Sequence, residues 1–188
     1  MRKTYVIDTN VLIQAPYAFE CFQENQVVLP FVVVEELDSL KKAEGERGAN
    51  AREVIRCLEK FRMTGDLMHG VSTKNGGTLR IETNCIHVEL PEYLPEDRMD
   101  NRLLKVCKGL QEKEERVILV TKDILLRMKA SILDIESEDF ITEQVCKSSL
   151  FRLIYKEIHG SIQTPQVHKL DSASLHLVFG ASPLCSKS

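Results

Sequence analysis

Val117-Ile118-Leu119-Val120-Thr121, followed by Lys122-Asp123, is the clearest buried strand in the sequence. Four aliphatic residues in succession, bounded by Arg116 and Lys122, suit a strand covered on both faces, and such strands belong to parallel sheets flanked by helices. Tyr5-Val6-Ile7 is a similar run that ends at Asp8-Thr9-Asn10, and Gln26-Val27-Val28-Leu29 is a third, closed by Pro30. Helical patterning fills the intervals. It is expected from Phe31 to about Leu40 with Pro30 in the first turn, and from Ala49 to about Met63 after a glycine-containing break at 43–48. It resumes from Arg98 to about Lys113 and from Asp123 to Ile132, before a last short strand within Asp134 to Phe140. The stretch from Asp66 to Pro95 differs: Asn75-Gly76-Gly77, then Leu79-Arg80-Ile81-Glu82 and Ile86-His87-Val88-Glu89-Leu90, suggest a β-hairpin inserted between helices. Strands alternating with helices predict an α/β sandwich with a mainly parallel sheet.

Composition is that of an ordinary globular chain, with 43% apolar and 28% charged residues over 188 positions. The formal net charge of −3 gives no global attraction to nucleic acid, so such a partner must be held by a local basic patch. Six scattered cysteines (Cys21, Cys57, Cys85, Cys107, Cys146, Cys185) form no CxxC pair. With no secretory signal and no apolar run near the ~20 residues of a membrane span, reduced thiols in a cytoplasmic protein are expected.

Four carboxylates are placed by this pattern. Asp8 ends one strand and Asp123 follows another, so parallel strands bring both to one sheet edge, where α/β proteins bind ligands. Each alone is more simply a helix N-cap. At about 100° per residue, Val33, Leu37 and Leu40 form an apolar stripe with Glu36 at its border and Glu35 turned away. Asp100 falls on the side of its helix defined by Leu103, Leu104, Cys107 and Leu110, while Asp97 sits where a cap belongs. Carboxylates gathered at one edge repel each other, and hard divalent ions such as Mg²⁺ or Mn²⁺ relieve that. None of the five histidines lies in these segments, which argues against a zinc hydrolase.

The segments carry a family resemblance. Tyr5-Val6-Ile7-Asp8-Thr9-Asn10-Val11-Leu12 resembles the opening motif of PIN domains, and Val34-Glu35-Glu36-Leu37-Asp38 resembles their second acidic motif. Asp100-Asn101-Arg102-Leu103-Leu104 and Val120-Thr121-Lys122-Asp123 resemble the third and fourth. Within that superfamily the sequence most resembles the N-terminal PIN domain of PhoH-like ATPases, through Gly48-Ala49-Asn50-Ala51-Arg52-Glu53, the Asn75-Gly76-Gly77 turn and Lys122-Asp123-Ile124. The resemblance implies a three-layer α/β/α sandwich over residues 1–141. The remainder, 142–188, reads as a tail: an amphipathic helix to Ile158, ended by Gly160, then a poorly ordered Ser-rich stretch. Leu150, Ile154 and Ile158 on one side, with Phe151 beside them, suit either an oligomer contact or packing on the domain. From about Cys146 the tail resembles no named family, and no GxxxxGK[ST] phosphate loop, hence no ATP site, occurs in the sequence.

What the resemblance implies is a divalent-metal-dependent ribonuclease that hydrolyses phosphodiester bonds within single-stranded RNA, with Asp8, Glu36, Asp100 and Asp123 as both catalytic residues and ligands of Mg²⁺ or Mn²⁺. Asn10 and Thr121 would orient carboxylates or water, although Asn10 equally suits a helix cap. Phosphate contacts fall to Arg52 and Lys122, the basic residues nearest the acidic edge. Two other readings stay open: a non-catalytic RNA-binding or regulatory PIN module, and the toxin of a toxin–antitoxin pair. A dehalogenase-like phosphatase would need a second Asp where Asn10 stands, and a dinucleotide-binding enzyme would need GxGxxG after the first strand.

Overall fold

The structure, a computed structural model, describes residues 2–83, 85–113 and 116–141. In chain order the elements are β1 (Thr4–Ile7), α1 (Thr9–Gln14), a short 3-10 helix (Ala18–Phe22), β2 (Gln26–Pro30), α2 (Phe31–Leu40) and α3 (Gly45–Thr64). They continue with β3 (Val71–Ser72), β4 (Thr78–Glu82), α4 (Met99–Gln111), β5 (Val117–Val120), α5 (Ile124–Ile132) and β6 (Glu136–Glu138). The strands form one sheet in the order β3-β4-β2-β1-β5-β6. Every neighbouring pair is parallel except β3 with β4. Valines and isoleucines explain the central strands: Val6, Ile7, Val28, Leu29, Ile118 and Leu119 are fully buried, as a sheet covered on both faces requires.

Connections leave β1 in two directions. The chain first steps from β1 to β2 and on to β4, then crosses back to β5 and β6 on the other side of β1. With right-handed crossovers, the first direction carries α1, α2 and α3 over one face of the sheet and the second carries α4 and α5 over the other. The three earlier helices pack on one another. Between β1 and β5 the direction reverses, and the carboxyl ends of those two strands therefore flank a topological switch point.

The hairpin expected between helices forms between α3 and α4, β3 pairing antiparallel with β4, and β4 also pairs with β2 and so extends the main sheet. Several other expectations meet a different outcome. With β2 and β3 on its two sides, β4 has no edge left for the expected strand at Ile86–Leu90; Ile86-His87 form a turn and Val88–Leu90 take no regular structure. Cys85 takes a left-handed backbone (φ 44°) and lies against Gly109 of α4, where an added Cβ would come within 2.7 Å of Cys85 Sγ. Helix α3 starts at Gly45, ahead of the expected Ala49. Arg98 rather than Asp97 occupies the N-cap of α4, with no side-chain cap bond. The expected tail, with Leu150, Phe151, Ile154, Ile158 and Gly160, lies outside the described residues. No helix among the described residues is long and apolar enough to cross a membrane.

Candidate active site

Asp8 stands at the switch point. Its amide donates to the Val120 carbonyl at 3.1 Å, so the β1–β5 ladder delivers it beside Thr121. The carboxylate is held on both oxygens: the Thr9 amide donates to Oδ1 at 2.7 Å and the Thr121 hydroxyl donates to Oδ2 at 2.6 Å. Thr121 is completely buried, and its Oγ1 also accepts from Asn10 Nδ2 at 3.3 Å and from the Asp123 amide at 3.0 Å. Asn10 Oδ1 in turn accepts from the Lys122 amide at 3.2 Å. Asn10 and Thr121 thus join the ends of β1 and β5 into one hydrogen-bonded corner around Asp8.

Asp8 is only 9% exposed, and burial pushes its carboxyl up to about 6, against the bonds from Thr121 and Thr9. The charges of Glu36 and Asp100 push the same way, which puts both within electrostatic reach. Glu36 is half-buried at the margin of the stripe that includes Val33 and Leu37, whereas Glu35 is exposed, its Oε2 lying 3.6 Å from Arg102. Asp100, in the first turn of α4, is more open than its helical phase suggests, with 44% of its side chain exposed.

Two of the four acids are engaged elsewhere. Lys129 Nζ donates to Asp100 Oδ2 at 3.1 Å and to Asn101 Oδ1 at 3.4 Å. Asp123 caps α5, its Oδ1 accepting from the amides of Leu125 and Leu126 at 2.8 and 3.3 Å. In this arrangement no three Asp, Glu, His or Cys side chains among the described residues converge on one point at metal-binding range. Glu36 and Asp100 lie within electrostatic reach of Asp8, whereas Asp123 is tied to the corner only by its backbone amide, which donates to Thr121 Oγ1.

The basic residues are more tied down than sequence suggests. Arg52 donates from Nη1 to the Lys41 carbonyl at 2.8 Å, capping the end of α2, and Asn50 Nδ2 donates to the Ile13 carbonyl at the end of α1. Lys122 Nζ donates to the Phe140 carbonyl at 3.1 Å and lies 3.7 Å from Asp139. The sequence groups Lys129 with the basic residues beside Asp123 but does not reveal its contact with Asp100, and it does not single out Asn101. Periodicity held the signal for both: Lys129 follows Leu126 by three positions on the buried side of α5, and Asn101 is 1% exposed. Among the cysteines described, Cys57, Cys85 and Cys107 are free thiols.

The profile of the family described as PIN domain matches residues 5–141. A Bacillus subtilis (strain 168) protein named Protein PhoH2 is 43% identical over 171 residues, covering 87% of this chain and 38% of that protein. That share exceeds what residues 5–141 span, so the likeness continues into the 142–188 segment for which no resemblance was expected. A Protein PhoH2 of Thermobispora bispora is 35% identical over 149 residues, covering 78% of this chain and 34% of that one. The chain spans about a third of the length of these curated relatives. Among solved structures, a domain of a functionally unknown protein from Methanocaldococcus jannaschii is similar with a TM-score of 0.48 at 20% identity, covering 74% of this chain and 92% of that one.

Proposed function

The chain belongs to the PIN domain family, and from that premise we propose that it is a divalent-metal-dependent ribonuclease that cuts single-stranded RNA within the strand. The observation that carries the reading is Asp8: a nearly buried carboxylate at the sheet's switch point, oriented through both oxygens and repelled by Glu36 and Asp100. A structural cap needs no such company, because one carboxylate satisfies a helix start and further acids only raise its cost.

The donor chemistry suits Mg²⁺ or Mn²⁺, since Asp8, Glu36, Asp100 and Asp123 offer hard oxygens, and the charge of Glu36 and Asp100 acting on Asp8 is one that a divalent ion relieves. Bound there, such ions would lower the pKa of a water that attacks the phosphodiester and neutralise the charge on the leaving oxygen. The remaining work falls to this chain's own groups. Thr9 and Thr121 fix the plane of the Asp8 carboxylate, and Asn10 fixes Thr121 by occupying one of its acceptor positions. Lys122 and Arg52 are the candidate phosphate contacts; to serve, the Lys122 ammonium would leave the Phe140 carbonyl and Asp139, and Arg52 also secures α2.

The test is cleavage of an end-labelled single-stranded RNA with Mn²⁺, Mg²⁺ or EDTA. We expect metal-dependent cutting that leaves 5′-phosphate ends and disappears in Asp8→Asn. Absence of cutting with any divalent ion would favour a non-catalytic RNA-binding module, and cutting that survives in Asp8→Asn would overturn the assignment of the site.

A further inference from the structure

We propose that Lys129 is a displaceable internal counter-ion of the acidic cluster: its ammonium holds Asp100 until a divalent cation takes that carboxylate, and then turns to the phosphate of the bound strand. The inference rests on the nuclease reading above and adds to it a residue that the acidic motifs do not contain.

Among the described residues, Lys129 is the cation seated on one of the four acids. Its Nζ lies 3.1 Å from Asp100 Oδ2 and 3.4 Å from Asn101 Oδ1, so the ammonium faces the first turn of α4 and nothing further along it. The placement is built. Lys129 lies on the side of α5 that carries buried Leu126 and Ala130, and 23% of its side chain is exposed, so its stem is packed while its head reaches the cluster. Asn101, 1% exposed, is itself fixed by donating from Nδ2 to the Pro95 carbonyl at 2.7 Å.

The charges explain why such a lysine would be there. Asp8 already feels Asp100 and Glu36, and a monovalent cation on Asp100 tempers that repulsion in the metal-free protein. An ion pair with 44% of the carboxylate side chain exposed is weak, and a doubly charged ion in the same place outcompetes a single ammonium. Once displaced, the ammonium has three donors, no acceptor, and no carboxylate left to itself at that edge. A phosphodiester oxygen beside the metal-bound acids is the group of matching chemistry.

A purely structural role, pinning α5 to α4, makes different predictions. Calorimetric titration of the full chain with Mn²⁺, without RNA, should show Lys129→Met binding the ion about three- to tenfold more tightly than wild type, the change a partly exposed charge pair commands. Lys129→Arg, which keeps the cation, should stay near wild type. At saturating Mn²⁺ the KM for single-stranded RNA should rise about three- to tenfold in Lys129→Met with kcat changed less, and Lys129→Arg should restore it. Lys129→Gln serves as the uncharged variant if the methionine form does not fold. Unchanged or weaker Mn²⁺ affinity in a folded uncharged variant overturns the counter-ion assignment, and an unchanged KM overturns the turn to phosphate. If wild type cuts RNA while these variants behave as it does, the lysine assignment alone fails. If wild type takes up no Mn²⁺ and cuts nothing, both readings fall.

Discussion

Burial and like charge act on Asp8 in the same direction, and the consequence reaches beyond chemistry. Its carboxyl is raised from 3.8 to about 6 in the fold, so the folded chain holds that proton more tightly than the unfolded one. The stabilisation this group gives is therefore complete below about pH 4 and lost as pH rises towards 6, by about 3 kcal/mol at most. In EDTA, Asp8→Asn should gain stability relative to wild type across that window and hold the gain at neutral pH, less about 1 kcal/mol for the impaired Thr121 bond. Thermal melts of both proteins between pH 4 and 8 would measure it, and a difference that does not change with pH would contradict it. At this scale the sequence was informative where period decides position. Glu36 at a stripe margin and Asp8 at a strand end follow from pattern alone, and both lie where expected. The Lys129–Asp100 contact joins residues on separate helices, and one-dimensional spacing carries no information about that distance.

Among the elements, the Gly48-Ala49-Asn50-Ala51-Arg52 segment turns out to be a clasp. A Cβ at Gly48 would lie 1.9 Å from the Ala43 carbonyl oxygen, so only glycine lets α3 pass so near the chain leaving α2. Two residues on, Asn50 satisfies the Ile13 carbonyl, and Arg52 satisfies that of Lys41. One short stretch therefore closes the carboxyl ends of α1 and α2, the helices that follow Asp8 and carry Glu36. Gly48→Ala should cost about 1–3 kcal/mol from overpacking, and Asn50→Ala about 1–2 kcal/mol from the stranded carbonyl. Urea denaturation gives both numbers, and a neutral Gly48→Ala would contradict the close approach of α3 to the Ala43 carbonyl. The segment's family likeness was visible in the sequence, but its purpose was not, because the carbonyls it serves are supplied by distant parts of the chain. Short elements were equally hidden: α1 has six residues and the 3-10 helix five, too few for a period to show.

For the molecule as a whole, a mild net charge of −3 conceals a local excess at one sheet edge. Glu36 and Asp100 raise the cost of charging Asp8 there, and the fold tolerates it because the central strands bury an uninterrupted apolar core. A cation that binds the folded cluster and not the unfolded chain must then stabilise the entire domain, by about 2.7 kcal/mol at a hundred times its Kd. For a domain of this size that corresponds to a rise in Tm of roughly 5–10 °C. Mn²⁺ titrated into metal-free protein at pH 7.5 should produce the shift, Na⁺ at equal ionic strength should not, and Asp8→Asn should abolish most of it. Screening alone would raise both proteins equally with either salt. Equal shifts in wild type and Asp8→Asn would therefore mean that the ion is not bound at this edge, and the four acids would have to be explained as caps and surface pairs.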